Sequence, residues 1–194
     1  MDILKPIKNR REVNFNQTIQ VLLLTSIILA ISAVIGASQL SNIIPSNLAG
    51  YGLSAIGIGV FIVVFIGGLL YGWLIQLTMN VLVGKGKYLD GLATISYSLL
   101  PISFGVLISA IVSYIPIIGG LISFIVMALF GVIGYALMFK LTKTLFATDM
   151  ITAFIGVTVI WGITGLSVYA GVASSLLGVK GLFPNLSSTY PLLK

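Results

Sequence analysis

Gln76 and Asn80 stand four residues apart, so on a helix they share a face and can present two amides to one ligand or one partner. Thr78, between them, points elsewhere. Ser96, Tyr97, Ser98 and Ser103 cluster about Pro101. A proline inside a helix lacks the backbone donor and frees the carbonyl one turn earlier, here that of Tyr97, which favours a kink or local unwinding. A niche in which Gln76 or Asn80 meets that carbonyl, with Tyr97 and Pro101 at its edge, would bind a polar solute by hydrogen bonding. The same groups would equally serve as hydrogen bonds between helices, worth about 0.6–2 kcal/mol each. Both readings stand at this level.

Covalent and acid–base chemistry has fewer candidates. The chain holds no Cys and no His, which removes thiol nucleophiles, disulfides, soft metal ligands and the usual proton shuttle. It has no carboxylate pair, P-loop or GxSxG pattern to support catalysis. Asp90 and Asp149 each begin an apolar run. There a carboxylate caps free backbone N–H groups and meets the positive end of the helix dipole. No enzymatic activity, cofactor or metal site is expected.

The elements that must hold these residues follow from composition. Of 194 residues, 58% are hydrophobic and 7% charged, against roughly 25% charged in an ordinary globular domain. Such a chain belongs in a bilayer. A spanning helix needs about 20 apolar residues to cross about 30 Å of hydrocarbon. Five segments satisfy this: Thr18 to Ala37, a long run within Tyr51 to Val83, Leu92 to Tyr114, Ile117 to Phe139, and Ile151 to Ala173. Runs this long exclude the alternating strands of a β-barrel. The expectation is an all-α polytopic protein with one five-helix membrane domain at 18–173. A short basic arm, 1–17, precedes it, and a polar tail, 174–194, follows.

Charge then orients the spans. With five crossings, Lys5, Lys8, Arg10, Arg11, Lys85, Lys87, Lys140 and Lys143 all fall on one side. The loops on the other side, 38–50 and the turn at Tyr114-Ile115-Pro116, carry no Lys or Arg. The positive-inside rule gives a cytoplasmic N-terminus and an external C-terminus. The net charge of +6 therefore reflects membrane topology rather than nucleic acid, because the basic residues are scattered in ones and twos. Arg10-Arg11 before a run ending Ile35-Gly36-Ala37-Ser38 also fits a cleavable signal peptide, although the run is long enough to span.

Small residues mark helix faces. Gly68 and Gly72 form a G-x-x-x-G face, with Ala55 and Gly59 on the same run; Gly131 and Gly134 mark the fourth span, and Thr158 with Gly162 the fifth. Such spacing lets backbones approach closely, within the monomer by default or between two copies. Tyr51, Tyr88 and Tyr114 fall near span ends, where aromatic rings anchor at the interface. Asn185-Leu186-Ser187 is a glycosylation sequon on the expected external side, and Asn16-Gln17-Thr18 provides one on the other.

The stretch Gly84-Lys85-Gly86-Lys87-Tyr88-Leu89-Asp90-Gly91-Leu92, followed by Tyr97 and Pro101, resembles the Yip (Ypt/Rab-interacting protein) domain family. Ile115-Pro116-Ile117-Ile118-Gly119-Gly120 is similar to that family's tight turn between the third and fourth spans, and Thr148 to Ala153 to the start of its last span. The resemblance covers roughly Tyr51 to Ala173. It implies five spans with a cytoplasmic N-terminus, the arrangement reached from charge. Eukaryotic members of the family act in vesicle traffic and contact Rab GTPases. This chain's arm is much shorter than theirs and lacks their Asp-Leu-Tyr-Gly-Pro motif, so Rab binding is not carried over.

Three functions compete on these residues. The leading one is a non-enzymatic membrane protein that organises membranes by packing against lipid, other membrane proteins or a second copy of itself. A small transporter or channel using Gln76, Asn80, Tyr97 and Pro101 is the second, and an accessory subunit of a larger membrane complex the third. A prokaryotic plasma membrane is the expected location.

Overall fold

A computed structural model describes residues 13–40, 46–84 and 86–162. Its helices are α1 (Phe15–Leu40), α2 (Ser46–Val83), α3 (Tyr88–Val112) and α4 (Gly119–Leu145), followed by the shorter α5 (Met150–Gly162). The first four are long and apolar enough to cross a membrane. The chain is thus an all-α polytopic membrane protein with a shorter fifth helix. Residues Met1–Val157 make one compact unit, and Thr158–Lys194 a second, of which 158–162 are described. The part of the expected fifth span beyond Gly162, and the tail, lie outside the described residues.

Helix ends differ from the apolar limits for local reasons. α1 begins at Phe15 rather than Thr18 because the Asn14 side chain accepts the Asn16 N–H at 3.1 Å and the Asn14 carbonyl accepts that of Thr18 at 3.1 Å. Three residues assigned to the arm are therefore helical. α3 begins at Tyr88 because Asp90 reaches back to the Lys87 N–H at 3.3 Å. α4 runs past Phe139 and takes Lys140 and Lys143 into its last turns. It stops where Ala147 adopts φ 48°, with Thr148 N–H returning to the Lys143 carbonyl at 3.2 Å and Phe146 N–H to that of Thr142 at 3.1 Å. That is a Schellman-type ending built on alanine instead of the usual glycine.

α3 is the hub, packing against α1, α2 and α4. Its buried residues are mostly small or hydroxylated: Gly91, Ala93, Thr94, Ser96, Ser98, Ser103 and Gly105, beside Leu92 and Ile95. A buried hydroxyl without a partner is costly in an apolar setting. Each of these bonds back along its own helix, as Thr94 does to Asp90 O at 2.8 Å and Ser96 to Leu92 O at 2.7 Å. Thr25, Ser26 and Ser32 of α1 follow the same pattern. Thr142 is an exception, since its buried hydroxyl has no partner among the described residues.

α2 and α4 instead leave large apolar side chains outward along their lengths, among them Val63, Leu70, Val81, Phe124 and Val132. α5 meets the last turns of α2, where a Cβ on Gly156 would lie 2.9 Å from Met79 Sδ.

Candidate functional site

The lysine-bearing end of the bundle is organised around the turn from Gly84 to Gly91. Gly84 closes α2 with φ +69°, a left-handed conformation that glycine takes without penalty, and its N–H bonds to Asn80 O at 2.9 Å. Gly86 follows in a tight slot. A Cβ there would sit 2.9 Å from the Phe146 ring and 3.0 Å from Asn80 Oδ1. The Gln76 amide donates to Gly86 O over a long 3.5 Å, and the Tyr88 hydroxyl to Leu69 O at 3.2 Å.

Below this turn α2 and α3 cross with backbone against backbone. A Cβ on Gly72 would lie 2.9 Å from Leu92 Cα, and one on Gly91 would overlap the Gly72 carbonyl oxygen. Two glycines, one from each helix, make that approach possible. The turn is thus fixed by its glycines and by amide and hydroxyl bonds to main-chain carbonyls. Lys87 is exposed, as are Lys140 and Lys143 on α4. Such a surface presents positive charge rather than groups placed for chemistry. Among the described residues no group of three His, Cys, Asp or Glu side chains is placed to hold a metal.

Both the turn and the proline-bearing helix after it are features of the family that the sequence resembles, and the Yip1 domain pattern matches residues 4–186. This chain belongs to the Yip1 domain family. Yip1 domain proteins are generally non-enzymatic membrane-trafficking proteins. No curated protein and no solved structure matches the chain. The family match includes the arm and most of the tail, well beyond the stretch that carried the resemblance.

Within this Yip1 domain the expected polar niche is not assembled. Gln76 and Asn80 lie on the turn side of the Gly72–Gly91 crossing, and both address Gly86. Tyr97 and Pro101 recede along α3 in the opposite direction, about 9 Å and 15 Å beyond Gly91 at about 1.5 Å per residue. Two antiparallel helices that cross between the groups keep them apart. Pro101 is accommodated inside a continuous α3, with Ser103 returning its hydroxyl to Leu100 O at 2.7 Å.

The glycines of this Yip1 domain divide into two groups. Gly68 faces Leu22, whose Cδ1 would lie 2.5 Å from an added Cβ, and Gly72 faces Leu92. Gly134 faces Ile102 and the Ser98 carbonyl. Gly131 departs from the expected packing role, since a Cβ there meets nothing within 4 Å. Gly162 likewise has no such neighbour among the described residues. Asn185 lies outside them.

The two aspartates sit at helix starts in different ways. Asp90 is the third residue of α3 and reaches back to Lys87 N–H. Asp149 precedes α5 and accepts the N–H groups of Ile151 at 3.1 Å and Thr152 at 3.2 Å. Thr152, through its side chain first and its N–H second, together with Ile151, holds the Asp149 carboxyl below the usual carboxylate value. The cap is therefore complete above the ordinary carboxylate pKa and is lost as pH falls through the depressed one.

Sequence reasoning missed Gly86, Gly91 and Gly105 as packing residues, and a reciprocal pair between α3 and α4. Ser109 donates to Ser123 O at 3.2 Å, and Ser123 to Ser109 O at 2.8 Å. A signal existed for the pair, since both serines stand seven residues from Pro116 on either side of the turn. Hairpin symmetry alone would have matched them.

Proposed function

We propose that this Yip1-domain protein organises membranes without enzymatic chemistry, by packing against lipid and other membrane proteins, and that its lysine-bearing end faces the cytoplasm. One observation carries the reading. The buried hydroxyls of α1 and α3 are largely engaged with their own helices, while α2 and α4 turn apolar surface outward. Among the described residues, the exposed lysines are Lys87 at the Gly84–Gly91 turn and Lys140 and Lys143 at the end of α4.

The transporter alternative loses its support with the separation of Gln76 and Asn80 from Tyr97 and Pro101. A plasma membrane follows if the source is prokaryotic. Mild crosslinking in native membranes, followed by mass spectrometry, tests the role. Stoichiometric recovery of a membrane-protein partner, reduced by Lys140→Glu together with Lys143→Glu, is expected. Recovery of the chain alone would remove the protein-partner arm. Orientation is tested separately: a cysteine replacing Ser187 should react with an impermeant maleimide from outside, and one replacing Lys87 should not.

A further inference from the structure

The turn between α3 and α4 is built against its own sequence. Ile117 has φ +69°, the left-handed region in which a β-branched side chain crowds the backbone and where glycine or asparagine would sit comfortably. Contacts within the chain give nothing back, because Ile117 is 102% exposed. Tyr114, Ile115, Ile118 and Leu121 around it are exposed as well, and residues 113–123 contain no charge. In water this would be an unusually poor place to display isoleucines.

The polar groups behind the turn are arranged as if water were scarce. The Gln39 amide donates to Ala110 O at 3.0 Å and also bonds Ser113 Oγ. The Ser38 and Tyr114 hydroxyls bond one another, and Tyr114 also reaches Ile35 O at 3.2 Å. Ser109 and Ser123 complete the set. Satisfying polar groups internally is what a low-water environment requires.

Depth follows from helix length. Lys140 is exposed at the other end of α4, and a long cationic side chain reaches for the headgroup layer, which sets that end at the near hydrocarbon edge. From there α4 rises about 32 Å back to Gly119 at about 1.5 Å per residue, close to the hydrocarbon thickness of about 30 Å. Gly119 therefore stands at the far hydrocarbon edge, and the turn occupies the headgroup boundary rather than bulk water.

We propose that the α3–α4 turn is an interfacial lipid anchor, with Ile117 inserted among the lipids of the leaflet remote from the lysines. Lipid contact offsets the left-handed backbone that presents the side chain, and Tyr114 sits at the depth that aromatic rings favour. The assignment holds for either orientation of the chain.

The chain has no cysteine, so Ile117→Cys accepts a single nitroxide in phosphatidylcholine proteoliposomes. Power-saturation spectroscopy then compares collisions with oxygen and with a water-soluble nickel chelate. Greater access to oxygen than to nickel is expected, as at Val63→Cys on the exposed face of α2, with Lys87→Cys as the aqueous reference. Nickel access matching the Lys87 site would overturn the anchor. Shielding from both reagents would also overturn it, by placing protein rather than lipid over the turn. A label at Ile118→Cys guards against disturbance at Ile117 itself. Adding Ile117→Asn, which suits the backbone but not the lipid, should raise nickel access at Ile118 at least threefold; no change would deny Ile117 the anchoring role.

Discussion

α3 and α4 are neighbours of similar length and similarly apolar composition, 25 and 27 residues, yet they serve opposite roles. α3 buries glycines and hydroxyls and touches three other helices. α4 buries a narrow line, Gly119, Ser123, Gly134, Met138, Leu141 and Thr142, and exposes most of its large apolar side chains. In water the more apolar face would be the hidden one. In lipid, tails solvate leucine as well as another helix does, so close approach decides what is hidden. Small residues go inside and large ones outside.

That contrast can be broken most sharply at Gly91. Its Cβ would meet the Gly72 carbonyl oxygen, and backbone cannot rotate away as a side chain can. Gly91→Ala is expected to destabilise the detergent-solubilised protein by about 3 kcal/mol, read as a large fall in Tm or loss of the folded fraction. An unchanged Tm would mean that the crossing is looser than described.

Gly134→Ala comes next. The added methyl meets the Ile102 side chain, which can move, and the Ser98 carbonyl, which cannot. A cost of about 1–2 kcal/mol is expected, with recovery when Ile102→Val removes part of the crowding. Failure to recover would assign the cost to the carbonyl.

Ser109→Ala and Ser123→Ala each remove one donor across the hairpin and should cost about 1 kcal/mol. Each hydroxyl serves the other residue's carbonyl, so the bonds are separate and the double variant should be close to additive. A strongly non-additive cycle would reveal a shared network in place of two bonds.

The smallest effect belongs to Gly131, half-buried on α4. With open space around its Cβ, Gly131→Ala should stabilise the helix by up to about 1 kcal/mol through propensity alone. A loss of stability appearing only at high protein density in bilayers would show a second copy seated on that face.

The sequence conveyed four of the five helices nearly complete, because uninterrupted apolar runs identify spans without reference to their neighbours. It conveyed the lysine-bearing end through charge alone. It misjudged the start of α1, which Asn14 sets, since a cap extends a helix past its apolar stretch. The niche failed for a different reason. A spacing of four predicts that Gln76 and Asn80 share a face, and both address Gly86, but only the crossing at Gly72 and Gly91 determines what they face. Gly131 and Gly134 look alike in sequence, but only at Gly134 do a side chain and a carbonyl of α3 come within reach of a Cβ.

The hydroxyls of α3 have one mechanical consequence. Because Thr94, Ser96 and Ser103 bond to carbonyls of their own helix, sliding α3 along its axis would rupture none of these bonds. Resistance to such slippage comes instead from contacts between helices, among them the Ser109–Ser123 bonds to α4 and one device at each end. Near the lysines it is a steric key, Gly91 seated on Gly72. At the uncharged end it is a latch, Gln39 holding Ala110 and Ser113. Unfastening the latch would leave that end of α3 tied to α4 by the serine pair, so the hairpin would move as one piece.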